Sequence, residues 1–232
     1  MTKVSIVIPV YNEELYVEEV LRQVLALNWP TGIEKEVIVV DDGSTDNTRN
    51  LLEKFPHNQM LQIHFQHHNF GKGAAIREAI KHVTGDITII QDADLEYSTQ
   101  DYPAILEPLL SGKAEVVYGS RFMGTIKGMK LQYRLFNLFI RWLVNILFNA
   151  SITDEATAYK VFKSELLKSL DLKSQRFEIC PEMTAKVLKR KIKIYEVPIH
   201  YNARDKKAGK KIRWTDGIQA ISTLLKYRFI DA

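Results

Sequence analysis

The chain has 232 residues, 46% hydrophobic and 26% charged, which is long enough for one large globular domain with a sizeable core. A net charge of +4 and a pI near 9.0 favour anionic partners, namely phosphates, nucleic acid or an anionic membrane surface. The one cysteine, Cys180, excludes an internal disulfide framework and fits a reducing compartment. The amino terminus lacks the apolar core and cleavage site of a signal peptide, so a cytoplasmic location is expected.

Strands and helices alternate along the first half of the chain. Apolar, β-branched runs predict the strands, and helical periodicity follows the first four of them. Such alternation is typical of parallel pairing with right-handed crossovers, so we predict a single-domain α/β fold with an open, mostly parallel sheet flanked by helices. The predicted strands are 4–10, 36–40, 61–66, 87–90 and 115–119.

Local signals also predict where three of the helices begin. Asn12 is a candidate N-cap for the first helix, and residues 44–46 are candidates for the second. Residues 98–101 resemble a capping box, so a later helix is expected to follow them directly.

Polar side chains gather where the predicted strands pass into helices, while the strands themselves carry almost none. The carboxyl ends of parallel strands meet at one edge of a sheet, so these side chains are expected to line one crevice. The motif around Gly71 and Gly73 has neither dinucleotide-binding nor P-loop spacing, so a nucleotide site of another kind is indicated. The polar residues are Tyr11, Glu13, Asp41, Asp42, Lys72, Asp92 and Asp94.

A run of acids follows the predicted buried strand at 87–90. Asp92, Asp94 and Glu96 are spaced by two residues, so in extended backbone their side chains project to the same side. Three hard oxygen ligands beyond such a strand suit Mg²⁺ or Mn²⁺ that also holds substrate phosphates. A solvated turn that caps the next helix is the alternative interpretation.

The segment 129–148 is mostly apolar but carries a polar residue every three or four positions. Charges interrupt it too often for a transmembrane span, and it contains no acid. A helix lying in the membrane surface and a core or dimer-interface helix are equally compatible with this pattern. The polar stripe consists of Lys130, Arg134, Asn137, Arg141, Asn145 and Asn149.

A basic segment separates the last predicted strand, 194–200, from the last predicted helix, 215–229. Six of the ten residues in 204–213 are basic and one is acidic. Such a run is usually a solvated loop, but its glycine and its place between ordered elements also favour a loop that closes over phosphates. No nucleic-acid recognition signature accompanies the charge, so nucleic acid is not a predicted partner.

Six short motifs are spread from the first predicted strand almost to the end of the chain. They are Ile8-Pro-Val-Tyr-Asn-Glu-Glu14, Val39-Val-Asp-Asp-Gly-Ser-Thr-Asp46, Gly71-Lys-Gly73, Asp92-Ala-Asp94, Gly119-Ser-Arg121 and Glu196-Val-Pro198. Together they resemble those of family 2 glycosyltransferases with the GT-A fold, most closely the polyprenyl-phosphate branch typified by dolichol-phosphate mannose synthase. The resemblance implies a nucleotide-sugar-binding half at 1–121 and an acceptor- or membrane-facing half at 122–232.

The resemblance also implies a role for each matched position. Asp92, Asp94 and Glu96 would hold Mg²⁺ or Mn²⁺, with Asp92 also near the ribose or sugar. The nucleotide would be bound by Pro9, Tyr11, Glu13, Asp41 and Asp42, with Lys72 from the same crevice. The donor diphosphate and the acceptor phosphate would face Arg121, Arg134, Arg204 and Lys211, and Lys210 is interchangeable with Lys211. The implied catalytic residues are Asp92, Asp94, Arg121 and Arg134.

The implied reaction is inverting transfer of a sugar from a GDP-mannose or UDP-glucose type of donor to a polyprenyl phosphate. One alternative is transfer to a hydroxyl of a glycan or cell-surface polymer, which needs a general base, for which Asp154, Glu155 and Glu182 are candidates. Another is a non-catalytic nucleotide-sugar-binding partner of a membrane complex. A lipid acceptor implies peripheral docking at the cytoplasmic membrane face through 129–148, or the help of a separate membrane protein.

Overall fold

The structure is a computed structural model that describes residues 1–29, 31–204 and 214–230. Within these ranges, seven strands form one sheet with eight α-helices packed around it. The strands are β1 (Thr2–Val10), β2 (Ile33–Asp41), β3 (Leu61–Phe65), β4 (Ile87–Ile90), β5 (Val116–Lys127), β6 (Lys160–Lys163) and β7 (Ile194–Asn202). The helices are α1 (Val17–Ala26), α2 (Thr48–Lys54), α3 (Lys72–His82), α4 (Tyr102–Leu110), α5 (Leu131–Phe148), α6 (Ser164–Ser169), α7 (Ile179–Lys189) and α8 (Trp214–Phe229).

The sheet has the strand order β3-β2-β1-β4-β6-β5-β7. β1 pairs in parallel with β2 and β4, β2 pairs in parallel with β3, and β5 pairs in parallel with β7. β6 is antiparallel to both of its neighbours, β4 and β5. The other six described strands therefore point the same way, and the predicted open, mostly parallel sheet is confirmed. The division into halves at residue 121 stays a prediction.

The central strands are buried on both faces, which explains their mostly apolar, β-branched sequences. Ile6 and Ile8 of β1 pack towards α1, α2 and α4, while Val7 of the same strand and Ile38 of β2 pack towards α3, α5 and α7. Successive strand side chains point to opposite faces, so both parities must be apolar here. Each such side chain, fully buried, contributes about 1.5–3 kcal/mol to folding.

Two of the predicted helix starts are wrong. Asn12 has a φ of 49° and lies in the loop before α1, whose N-cap is Tyr16. The Asn12 side-chain oxygen accepts a hydrogen bond from the backbone N–H of Thr45, so it ties two loops together. The second helix has Asn47 as its N-cap, beyond the candidates at 44–46.

The cap at Ser98 and the strand β6 differ from the sequence-based expectations. Ser98 does act as a cap, because its hydroxyl accepts from the backbone N–H of Gln100, but the element that it starts is the 3-10 helix Thr99–Asp101, which leads into α4. The antiparallel strand β6 was not predicted. It is only four residues long and has a lysine at each end, so it lacks the signature of a buried strand.

Helix α5 carries an exposed apolar stripe. Ile140 and Val144 are buried against the protein, and the amide of Asn145 bonds both backbone groups of Ile152, so part of the polar stripe faces inward. Spacings of three or four residues place the exposed apolar side chains on one side of the helix. No helix within the described residues has the length and apolar character that crossing a bilayer requires. The stripe consists of Leu131, Leu135, Phe139, Trp142 and Ile146.

Helix α8 lies directly beside α5 and also exposes several apolar side chains. A Cβ atom on Gly217 would come within 2.8 Å of the ring of Phe136, so the two helices approach closely at this glycine. Trp214 and Ile218, which flank Gly217, are exposed, as is Phe229 at the end of the helix. The two helices therefore present neighbouring apolar surfaces.

The stability of the fold is expected to fall as the pH drops from 7.5 to 5.5, partly through His64. Its ring stacks on His82 at 3.8 Å, its Nε2 is buried without a hydrogen-bond partner among the described residues, and burial, with the His82 charge, lowers its pKa. The unfolded chain therefore binds the proton more readily, so this stability is present above the ordinary pKa of histidine, near 6.5, and is lost as the pH falls through it.

Chemical denaturation at a series of pH values checks this expectation. His64→Gln should flatten the pH dependence, whereas His57→Gln, at an exposed histidine, should leave it unchanged. Equal pH profiles for the wild type and His64→Gln would contradict a contribution from His64.

Candidate active site

The polar strand ends meet in a crevice between β1 and β4. The strand order reverses here, because the chain passes from β1 to β2 on one side, whereas β4 lies on the other side of β1, and such a switch point is where α/β folds bind ligands. Residues 11–13 follow β1, and residues 91–96 follow β4. β7 runs in the same direction, so Arg204, two residues after its end, reaches the same edge.

Lys72 and Asp92 form an ion pair in this crevice. The Lys72 Nζ lies 2.5 Å from Asp92 Oδ1. Burial lowers the pKa of Lys72, but the charge and hydrogen bond of Asp92, together with Cys180 and Tyr97, raise it above its ordinary value, so the ammonium stays charged. The loop before Lys72 requires glycine, because Gly71 has a φ of 106° and a Cβ there would lie 2.5 Å from the Gln175 carbonyl oxygen.

Asp42 fixes the loop that presents Lys72. Its two carboxylate oxygens accept hydrogen bonds from the backbone N–H of Phe70, at 2.8 Å, the backbone N–H of Gly71, at 2.8 Å, and the Asn69 side chain, at 2.9 Å. Asp42 is buried, and that burial raises its pKa in spite of these bonds. In this structure Asp42 orders the loop of residues 69–71. A direct contact of Asp42 with the nucleoside stays a prediction.

Arg204 connects three of the acids. Its Nη1 donates to Glu13 Oε2 at 2.7 Å, and its Nη2 donates to Asp94 Oδ2 at 3.0 Å and to Glu13 Oε1 at 3.2 Å. Its backbone N–H donates to Glu96 Oε1 at 2.8 Å. The Arg204 side chain is only 12% exposed. Glu13, Asp94 and Glu96 are therefore brought together, as the sequence predicts, but around a cation of the chain itself.

The expectation of extended backbone from Asp92 to Glu96 is wrong. The chain turns after β4, with Leu95 in the left-handed region at a φ of 57°. The backbone N–H of Glu96 donates to Asp94 Oδ1 at 3.1 Å, which closes the turn. The three acids therefore do not follow strand alternation, and each one has a different set of partners.

The acids of this turn suit a hard divalent cation in their chemistry. Within the described part of the chain, no three His, Cys, Asp or Glu side chains are arranged to hold a metal ion together. Burial and the charges of Asp92 and Glu96 nevertheless raise the pKa of Asp94 to about 7. Arg204 therefore does not fully balance the negative charge around Asp94, and Mg²⁺ or Mn²⁺ supplies further positive charge to oxygen ligands. The metal ligands remain a prediction, and metal binding would require Lys72 to leave Asp92 and Arg204 to leave Asp94.

Three further residues lie at the ends of β1 and β2. Pro9 and Tyr11 are half-buried beside the crevice. Asp41 is fully buried, its carboxylate accepts from the backbone N–H of Ser44 at 3.3 Å, and burial raises its pKa. Their contact with the nucleoside remains a prediction.

Arg121 is held in a buried ion pair. Its Nε and Nη2 donate to the two carboxylate oxygens of Asp154 at 2.7 and 2.8 Å, and its guanidinium lies over the ring of Tyr201. Arg121 is 5% exposed and Asp154 is fully buried. This arrangement favours a structural role, and phosphate contact by Arg121 stays a prediction.

The other predicted phosphate ligands differ in position. Arg134 is exposed in the first turns of α5, next to the apolar stripe. Arg204 lies among the carboxylates described above. Lys211 and its interchangeable neighbour Lys210 lie outside the described residues.

The three candidate general bases are buried and already bonded. Asp154 pairs with Arg121, as described. Glu155 accepts from the hydroxyl of Thr184, and burial raises its pKa. Glu182 accepts from the backbone N–H groups of residues 173 and 174 and from the hydroxyl of Tyr227. These carboxylates hold the fold together at their present positions.

Sequence reasoning missed two tyrosines of the site. The hydroxyl of Tyr201 donates to Glu96 Oε2 at 2.8 Å, and the ring of Tyr16 lies 5.3 Å from the Arg204 guanidinium carbon. The alternation of buried residues in β7 predicts that Tyr201 points inward, but local sequence does not reveal its acidic partner.

Comparison with known proteins places this geometry in context. Residues 5–171 match the family described as Glycosyl transferase family 2. The chain is 28% identical to UDP-N-acetylglucosamine–dolichyl-phosphate N-acetylglucosaminyltransferase of Methanococcus voltae, over 84% of this chain and 84% of that protein. It is 26% identical to undecaprenyl-phosphate 4-deoxy-4-formamido-L-arabinose transferase of Edwardsiella ictaluri, over 87% of this chain and 61% of that protein.

A solved structure shares the whole architecture. It is glucosyl-3-phosphoglycerate synthase of Mycobacterium tuberculosis in complex with Mn²⁺, UDP and phosphoglyceric acid, with a TM-score of 0.76 and 22% identity, covering 99% of this chain and 79% of that one. The fold is the GT-A fold, and the class of protein is glycosyltransferase. The chain belongs to glycosyl transferase family 2, because the matched region covers most of its length.

Proposed function

We propose that this protein transfers a sugar from a nucleotide diphosphate to a polyprenyl phosphate, with a divalent cation, and inverts the anomeric centre. The observation that carries the proposal is the convergence of Lys72 and Arg204 with Asp92 and Asp94 in the crevice of a family 2 fold. A diphosphate needs nearby positive charge, and a divalent cation needs carboxylates. The names of both relatives given above include a polyprenyl phosphate.

The donor lies along the crevice in this proposal. Pro9, Tyr11 and Asp41 bind the nucleoside, while Lys72 and Arg204 face the diphosphate. The names of the Methanococcus relative and of the mycobacterial complex both include a uridine diphosphate, so a UDP-sugar is the first donor to test and GDP-mannose the second.

Asp92 and Asp94, with Glu96 beside them, would hold the cation, which supplies positive charge to the leaving diphosphate. The residues of the chain itself bind and orient. Lys72, in the first turn of α3, binds the diphosphate through its ammonium group. Arg204 donates two parallel N–H hydrogen bonds to the same diphosphate. Because the diphosphate leaves from one face of the sugar and the acceptor attacks the opposite face, the product is inverted.

A phosphate acceptor fits this site better than a hydroxyl acceptor. A phosphate oxygen is ionised at neutral pH and needs no general base, whereas a hydroxyl does. Asp154, Glu155 and Glu182, the candidate bases, are buried and occupied by partners of the fold. In this proposal Arg134, which is exposed on α5, binds the acceptor phosphate.

The exposed stripe on α5 supports docking on a membrane surface at its cytoplasmic face. Apolar side chains that line one side of a helix, without any acid and with Lys130 and Arg134 at its start, are typical of helices that lie in an anionic lipid interface. Trp142, which is 56% exposed, has the residue type favoured at the boundary between acyl chains and headgroups.

The combined change Leu135→Ser and Trp142→Ser is expected to weaken binding to anionic lipid vesicles by about 100-fold or more. Each apolar side chain withheld from the membrane costs about 1.5–3 kcal/mol, which is roughly tenfold or more in affinity. Vesicle sedimentation measures the effect, and Gln132→Ser, at an exposed polar position of α5, is the matched control. Unchanged sedimentation of the double variant would exclude this stripe as the membrane contact.

Acceptor choice tests the proposed function against its alternatives. The protein is incubated with Mn²⁺, a radiolabelled nucleotide-sugar and either polyprenyl phosphate or a soluble glycan. Label in the organic phase is the expected result. Label only on the glycan would establish a hydroxyl acceptor, and metal-dependent nucleotide binding without transfer or donor hydrolysis would establish a non-catalytic partner.

A further inference from the structure

The guanidinium of Arg204 occupies the middle of the acidic cluster. It bonds Glu13 through both terminal nitrogens and Asp94 through one of them, and the backbone of the same residue bonds Glu96. Its side chain and that of Asp94 are each 12% exposed, so water screens these contacts poorly. Arg204 therefore neutralises acids from the loops after β1 and β4.

This contact conflicts with the predicted role of the same acids. A guanidinium is always charged, so it cannot make room for a metal by losing a proton. A divalent cation bound to Asp94 would face the Arg204 charge at short range in a poorly solvated place. Asp94 Oδ2 accepts from Arg204 and Oδ1 accepts from the Glu96 backbone, so a metal at this carboxylate competes with Arg204 for the same negative charge.

We propose that Arg204 is an internal counter-cation, which holds Asp94 in the donor-free protein and must leave it before a divalent cation binds there. A nucleotide diphosphate promotes the exchange, because its charge gives the displaced guanidinium a new partner. Binding of the metal and binding of the nucleotide therefore depend strongly on each other. Either ligand favours the separation of Arg204 from Asp94, so the other ligand no longer has to supply that free energy. This inference rests on the proposed function for the nature of the nucleotide and for a divalent cation at Asp94.

The inference predicts a gain of metal binding on removal of Arg204. In the absence of nucleotide, Arg204→Met and Arg204→Gln are expected to bind Mn²⁺ about tenfold or more tightly than the wild type, a size typical of coupled sites. UDP or GDP should tighten Mn²⁺ binding strongly in the wild type and much less in these variants. Arg204→Lys, which retains the charge but not the fork, should bind Mn²⁺ with an affinity between those of the wild type and Arg204→Gln.

Titration of Mn²⁺, followed by the electron paramagnetic resonance signal of the free ion, measures these affinities without any enzymatic turnover. Arg22→Met removes the same charge from an exposed residue of α1 whose ion-pair partner is Glu18 and not an acid of the crevice, and it should bind Mn²⁺ like the wild type. Thermal unfolding shows which variants are folded. If Arg204→Met does not fold, the affinity is measured on Arg204→Gln, whose side chain is polar.

The outcomes separate this inference from the proposed function. Nucleotide-dependent Mn²⁺ binding in the wild type, with no gain of Mn²⁺ affinity in Arg204→Gln, would overturn the counter-cation and leave the function standing. An equal gain in Arg22→Met would reduce the effect to net charge and overturn it as well. A gain in Arg204→Gln without any effect of nucleotide on the wild type would support the counter-cation and contradict the nucleotide site.

Discussion

Asp94→Asn is expected to lower sugar transfer by about 10²–10³-fold, the scale on which a single electrostatic group at a reaction centre acts. The change removes one carboxylate charge from the predicted cation site and keeps the shape of the side chain. Asp94 is the acid whose pKa burial and its acidic neighbours raise most clearly, and it directly contacts Arg204. The loss should appear in kcat, because the cation stabilises charge that develops in the reaction.

The protein itself should remain folded after this change. Asparagine retains an oxygen that accepts from the Glu96 backbone and relieves repulsion with Asp92. The control is Glu34→Gln, at an exposed position in β2, which should change neither transfer nor Mn²⁺ binding. Transfer by Asp94→Asn at the wild-type rate would mean that the metal site lies elsewhere.

Arg121→Met is expected to lower the free energy of unfolding by about 3–5 kcal/mol, because it leaves a buried carboxylate without its partner. Asp154 is fully buried and receives two hydrogen bonds from the Arg121 side chain and one from its backbone. Urea unfolding measures the change. A role limited to phosphate contact would instead cost activity and leave stability nearly unchanged.

The double variant Arg121→Met with Asp154→Leu is the matched control. Removing both charges leaves no unpaired carboxylate, so the double variant should be markedly more stable than Arg121→Met alone. A single variant that is as stable as the wild type but inactive would contradict the structural role and restore Arg121 as a phosphate ligand.

The strands and their acidic ends could be predicted because burial on both faces leaves a mark in the sequence. The runs at 4–10 and 87–90 are apolar at both parities, as a parallel strand in the middle of a sheet requires. The polar residues that follow must then lie at one edge of the sheet. The crevice therefore follows from local patterns and from the rule that parallel strands share an edge.

The pairing of Arg204 with Glu13 could not be predicted in this way. The two residues are 191 positions apart, and they meet only because β7 runs parallel to β1 across the sheet. Motif resemblance places Arg204 near phosphates, but it contains no information about the acids that hold the residue when the donor is absent.

The side of α5 that faces the protein could not be predicted from the sequence either. Its polar spacing predicts a wet face and an apolar face, yet Asn145 turns towards the protein because the backbone of Ile152 uses both ends of its amide. A polar side chain that satisfies buried backbone groups looks, in the sequence, like one that faces water. Only the packed structure separates the two.

Calorimetric titration of nucleotides, with and without Mn²⁺, tests the central claim most directly. UDP or GDP should bind in a manner that depends on Mn²⁺, the matching monophosphate should bind at least about tenfold more weakly, and Asp94→Asn should lose the dependence on Mn²⁺. Binding of mono- and diphosphates with equal affinity, unaffected by Mn²⁺ or by Asp94→Asn, would contradict a diphosphate site at these acids.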